Sequence, residues 1–113
     1  MDENAADGNG AVTRTHAADP VCVVALPPRL DVATSASVRA ALHGALDELD
    51  ASGGDLVVDL AAVEVVDAAG LGVLVGARRR ADGDGRVVVL RDTPLRVQRL
   101  LNATRLSRLF VLD

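Results

Sequence analysis

Asp67 is the residue of this chain whose type and position most clearly suggest chemistry. It closes the short β-branched run Val65-Val66 and is followed at once by Ala68-Ala69-Gly70-Leu71-Gly72, then by apolar residues at helical spacing. A strand that turns directly into a helix leaves the first helical N–H groups unpaired. Such an end attracts anions and carboxylates. Asp67 therefore suits two compatible roles, a helix N-cap and a contact or switch point. The pair Gly70 and Gly72 also hints at a dinucleotide-binding turn. Against this, the third glycine position holds Val75, and Gly76 comes one residue late. Asp67 would also place a negative charge where a pyrophosphate should sit. A small nucleotide-binding enzyme domain is thus the weaker alternative.

The other reactive side chains offer less. Asp31 precedes Thr34 and reads as a turn acid that could also face a partner. His16 and His43 have no acid or Cys at a matching spacing and read as surface or strand residues. Cys22 lies inside the run VCVVAL and reads as a small buried hydrophobe. Arg78-Arg79-Arg80 reads as a solvated face near a helix C-terminus, where cations offset the dipole. A phosphate or nucleic-acid site is the minor reading there. No Ser-His-Asp order, metal-ligand cluster or paired carboxylate stands out. The expectation is a protein with no catalytic residue, no cofactor and no metal.

Regular elements must position Asp67. Residues 1–10 are acidic, aperiodic and contain Gly and Asn, which predicts a frayed tail. Ala11–His16 reads as a weak edge strand, and Asp19-Pro20 as a turn. Val21–Leu26 reads as a strand buried on both faces, stopped by Pro27-Pro28. A helix is predicted from Ser35 to Leu49, capped by Thr34 or Ser35. Val38, Leu42, Ala45, Leu46 and Leu49 share one of its faces, with Asp47, Glu48 and Asp50 mainly off it. Ser52-Gly53-Gly54 ends it. Leu56–Leu60 is a second buried strand, and Glu64–Val66 a short extension leading to Asp67. The next helix runs from about Ala69 to Arg80, with Leu71, Leu74 and Val75 inward. Val87–Leu90 is the third buried strand. Thr93 as N-cap and Pro94 at the first helical position open a helix carrying Leu95, Val97, Leu100 and Leu101. Leu109–Leu112 is a last short strand. Strands alternating with helices imply an α/β domain over residues 11–113. Its sheet would be mixed but mostly parallel, of about five strands, covered by helices and joined by right-handed crossovers.

A chain of 113 residues is one domain by the usual prior. Half of it is hydrophobic, enough to bury a core. One Phe and no Trp or Tyr argue against a base-stacking surface for single-stranded nucleic acid. A formal charge of −4 gives no general attraction to DNA or anionic membrane. All twelve cationic residues are Arg, and with the Ala/Val bias this suggests a GC-rich bacterial genome. One Cys forms no internal disulfide, which fits the cytoplasm. The N-terminus lacks a basic-then-apolar signal pattern, and no apolar run is long enough to cross a membrane.

Three pieces in order carry a family likeness. They are Arg29-Leu30-Asp31-Val32-Ala33-Thr34; then Val57-Val58-Asp59-Leu60 with Val65-Val66-Asp67-Ala68-Ala69-Gly70-Leu71-Gly72; then Leu95-Arg96-Val97-Gln98-Arg99-Leu100-Leu101 with Phe110 close behind. Together they resemble the STAS domain of bacterial anti-sigma factor antagonists over about residues 11–113. Pro28 stands where the family usually has the Gly of Gly-x-Leu-Asp. In the family the second residue after the matching Asp is a phosphorylated Ser or Thr. Here that position is Ala69, and Ala68 also lacks a hydroxyl. The resemblance implies a regulatory module that binds a kinase-fold anti-sigma factor and so frees a sigma factor. It also implies a partner surface of Asp31, Asp67, Ala68, Ala69, Gly70, Leu71 and Gly72. With Ala69 the phosphorylation off-switch should be missing. Small STAS proteins also serve as accessory subunits of lipid-transporting ATP-driven transporters or in stress-sensing scaffolds, roles that need no phosphoacceptor. A homodimer is compatible with either role; nucleic-acid binding and direct membrane insertion are not expected.

Overall fold

Cys22 and Val24, Leu56 and Val58, and Val88 and Leu90 stand side by side on three neighbouring strands, each at most 2% exposed. A strand points alternate side chains to opposite faces, so these six build one sealed face of a sheet. The computed structural model describes residues 13–16 and 21–113. Its elements are β1 (Thr13–His16), β2 (Val21–Ala25), β3 (Arg29–Leu30), α1 (Ser35–Ser52), β4 (Asp55–Asp59), β5 (Val65–Val66), α2 (Ala68–Gly83), β6 (Val88–Arg91), α3 (Leu95–Ala103), a 3-10 turn (Ser107–Leu109) and β7 (Val111–Leu112). Five strands form the main sheet in the order β1-β2-β4-β6-β7. Only β1 runs antiparallel. The expected α/β domain with a mostly parallel five-stranded sheet is the one observed. The expected N-terminal tail, the turn at Asp19-Pro20, residues 11 and 12 of the edge strand, and the side chains of His16 and Asp50 lie outside the described residues.

The opposite face of β2, β4 and β6 carries Val23, Val57 and Val89, which are half-buried. Burial on both faces is therefore not complete. The helices α1 and α2 pack against each other and onto the central strands. Val38, Leu42, Ala45, Leu46 and Leu49 of α1 are all at most 2% exposed, as the helical spacing predicts. The helix runs three residues past Leu49. Gly53 then adopts φ +79° and donates its N–H to the Leu49 carbonyl, a left-handed stop that glycine takes without strain. Arg86 also donates to the carbonyls of Leu49 and Gly54, at 2.6 and 2.7 Å.

Several local expectations fail for identifiable reasons. Thr34 stands at the expected N-cap position of α1, but its side chain makes no cap bond to the helix. The Thr34 hydroxyl donates to the Arg29 carbonyl at 2.8 Å and accepts the Asp31 N–H at 3.1 Å, so it closes the preceding turn instead. Thr93 does not cap α3, whose boundary residue is Pro94. Leu95 is 60% exposed because it lies off the Val97–Leu101 stripe, both of whose residues are fully buried. In α2, Val75 is only half-buried, while Val73 joins Gly70, Leu71, Leu74, Ala77 and Ala81 inside. Leu109 belongs to the 3-10 turn, leaving β7 two residues long.

The strand β3 is too short to show any periodicity. It pairs in parallel with β5, Arg29 opposite Val65 and Leu30 opposite Val66, in a two-stranded ladder separate from the main sheet. Pro28 has no N–H for a ladder, but its carbonyl accepts from Glu64 and Val65 at 2.7 and 3.1 Å and starts this pairing. Among the described residues no helix is long and apolar enough to cross a membrane.

Candidate functional site

The small ladder brings two helix entrances together. From β3 the chain turns through residues 31–34 into α1; from β5 it turns through Asp67 into α2. Asp67 joins the two. Its Oδ1 accepts the N–H of Gly70 at 2.9 Å, the N-cap bond of α2. Its Oδ2 accepts the N–H of Val32 at 3.1 Å, across 35 residues of chain. Its own N–H donates to the Leu30 carbonyl at 3.2 Å. One aspartate thus caps a helix and holds a second loop against it.

These contacts favour the ionised carboxylate. The Gly70 N–H does most to lower the Asp67 pKa, with help from the N–H groups of Val32 and Ala69 and the Arg29 charge. Desolvation opposes them but does not reverse the direction. A carboxylate whose folded pKa lies below its unfolded one stabilises the fold above the ordinary range near pH 4. That contribution disappears as pH falls through the lowered folded value. Thermal unfolding followed from neutral pH into acid should therefore show a loss in the wild type that is smaller in Asp67→Asn. Equal acid sensitivity in the two proteins would contradict this role.

Asp31 has a different position. Only 5% exposed, it accepts from Arg29 Nε at 2.9 Å and from the Ala33 N–H at 3.0 Å. Its carboxylate is committed to shaping its own turn. Gly70 and Leu71 are also buried. Of the expected partner surface, Ala68 and Gly72 are exposed, and Asp67 and Ala69 half-exposed. The surface gains Val32, 74% exposed beside Asp67, and the exposed Ala33. Val32 was readable as an apolar residue in a polar turn, but nothing local in the chain tells that this turn meets Asp67.

The two glycines have opposite reasons. A Cβ at Gly70 would stand 2.0 Å from the Leu30 carbonyl oxygen, so only glycine fits beneath that strand. This close approach accounts for Gly70 without a bound nucleotide, and Asp67 already occupies the Gly70 N–H. A Cβ at Gly72, or at Gly76 one turn on, would meet nothing within 4 Å. Ala68, Gly72 and Gly76 recur every four residues and so form one narrow, nearly bare stripe along α2. The arginine run separates: Arg80 pairs with Asp47 and Asp84, Arg79 is exposed, and Arg78 turns toward Asp82 and Leu109. Only Arg80 lies in the last turn of α2.

A family model described as Mlab, STAS domain, matches residues 13–112. Among solved structures, a variant of RsbS from Moorella thermoacetica shares 29% identity, with 90% of this chain and 85% of that one covered and a TM-score of 0.72. An anti-sigma factor antagonist from Mycobacterium paratuberculosis shares 27% over 91% and 86%, with a TM-score of 0.69. An anti-sigma-factor antagonist (STAS) domain protein from Planctomyces limnophilus aligns at a TM-score of 0.76 over 90% and 88%; at 20% identity it is similar in fold alone. No curated protein matches the chain by sequence.

Proposed function

Because the chain belongs to the STAS family, we propose that it is a non-enzymatic, cytoplasmic protein-binding module that acts as an anti-sigma factor antagonist. In this reading it docks on a kinase-fold anti-sigma factor and releases a sigma factor. The observation that carries the reading is the joined pair of turns. Asp67 locks the Val32 loop to the start of α2, and what faces outward there is small or apolar: Val32, Ala33, Ala68, Ala69 and Gly72. A rigid, nearly bare surface lets another chain approach closely and costs little ordering on binding.

Ala69 offers no hydroxyl for phosphate. A phosphate would add about −1.5 to −2 charges beside Asp67, and its absence leaves an antagonist without that off-switch. The same absence favours a second reading on the same surface, an accessory subunit of a lipid-transporting ATP-driven transporter or a stress-sensing scaffold part. Partner capture from the source cell with wild type and Ala69→Asp as parallel baits tests the assignment. A kinase-fold anti-sigma factor retained by the wild type supports antagonism. A transporter ATPase or a large assembly of like domains supports the second reading.

The bare stripe leads to a separate expectation. A glycine inside an exposed helix is less favourable than alanine by about 0.5–1 kcal/mol. Space is open at Gly72 and Gly76, so alanine at either position should raise stability by about that much. If a partner backbone lies along α2, the same methyl groups should weaken binding. Thermal unfolding and partner affinity measured on both variants check the pair of effects. A more stable variant with unchanged affinity would remove that helix face from the interface.

A further inference from the structure

Arg78, Arg86 and Arg108 come from three separate segments and line one depression of about 240 Å³. Asp82 is the carboxylate on its wall, while Phe110 and Val111 contribute apolar surface. Three arginines against one carboxylate give the lining a cationic balance on a chain of net charge −4. Two of the arginines are held in place. Arg78 donates Nε to the Leu109 carbonyl at 3.1 Å and pairs with Asp82 at 3.3 Å. Arg86 is fixed by the carbonyls of Leu49 and Gly54. Arg108 is exposed and has no ion-pair partner among the described residues.

We propose that this depression binds a small phosphate-bearing molecule. A guanidinium presents five N–H donors in a planar fork that suits phosphate oxygens. Arg78 uses two nitrogens on protein acceptors and keeps further N–H donors, and Arg108 is free to close over an anion. The volume is below the usual range of about 300–1,000 Å³ for drug-sized ligands. It suits a phosphate group with a short stem lying on Phe110 and Val111. The site stands apart from the Asp67 surface, so its test is independent of the proposed function.

The test is titration of the full isotope-labelled chain with inorganic phosphate at constant ionic strength, since added salt alone weakens exposed charge interactions. The expected result is saturable shifts confined to the Nε–H signals of Arg78 and Arg108 and the amides of residues 108–111. Arg108→Gln removes no contact that holds the fold. It should keep the melting temperature and weaken phosphate binding by at least about fivefold. Shifts spread equally over Arg39 and Arg99, or unchanged affinity in Arg108→Gln, would overturn the proposal.

Discussion

Gly70→Ala is expected to lower the melting temperature by about 10–20 °C. The added methyl would lie 2.0 Å from the Leu30 carbonyl oxygen, 2.7 Å from its carbon and 2.8 Å from Leu30 Cγ. The first two atoms are backbone and cannot swing aside. The oxygen also accepts the Asp67 N–H, and Leu30 is fully buried and paired with Val66. Relief therefore requires β3 to separate from the start of α2. Overpacking in a well-filled interior costs about 1–3 kcal/mol and occasionally more. A rigid backbone contact belongs at the upper end, and about 4–8 °C accompanies each kcal/mol in a domain of this size. Partner binding should fall as well, because the same shift moves Val32 away from Asp67. Thermal unfolding monitored by circular dichroism checks it. A change of less than about 2 °C would mean that the close approach of α2 to β3 is not a feature of the folded chain.

Gly70 also marks the limit of what is legible locally in the sequence. The strand-to-helix junction at Asp67 was legible because a β-branched run, an acid and a helical apolar pattern follow one another locally. The core face of α1 was legible for the same reason, since Val38, Leu42, Ala45, Leu46 and Leu49 keep one period. What stayed hidden depends on contacts between distant segments. The pairing of Arg29-Leu30 with Val65-Val66 has only two residues on each side, fewer than any periodicity needs. Gly70 read as part of a phosphate-type glycine pair because its real reason, the Leu30 carbonyl, lies 40 positions earlier in the chain. Asp31 reads as a turn acid from its place before Thr34, and the structure agrees, but its spacing says nothing of the Arg29 side chain that pairs with it. Thr34 and Thr93 have the residue types of caps, yet Thr34 is engaged in a turn and Pro94 takes the boundary of α3. Local propensity named the elements; tertiary contacts decided which of their polar groups were already in use.

Ala69→Asp should leave folding nearly intact while weakening the proposed partner contact at least tenfold. Ala69 lies in the first turn of α2, half-exposed. An acidic side chain near a helix N-terminus is stabilising by about 0.3–1 kcal/mol, offset here by the neighbouring Asp67 carboxylate. In a closed interface the balance reverses. The new charge would face a surface matched to a methyl group and lose its water without a counterion. Truncating or mispairing one buried charge at an interface costs about 2–5 kcal/mol. At about 1.4 kcal/mol per factor of ten, that is a loss of at least tenfold in affinity. The decisive measurement is the dissociation constant of the captured partner for wild type and for Ala69→Asp, taken with both melting temperatures. The expected result is melting temperatures within about 3 °C of each other and an affinity at least tenfold weaker in the variant. Equal affinity with an intact fold would contradict it, because the turn that Asp67 holds against Val32 would then not be the surface on which the partner docks.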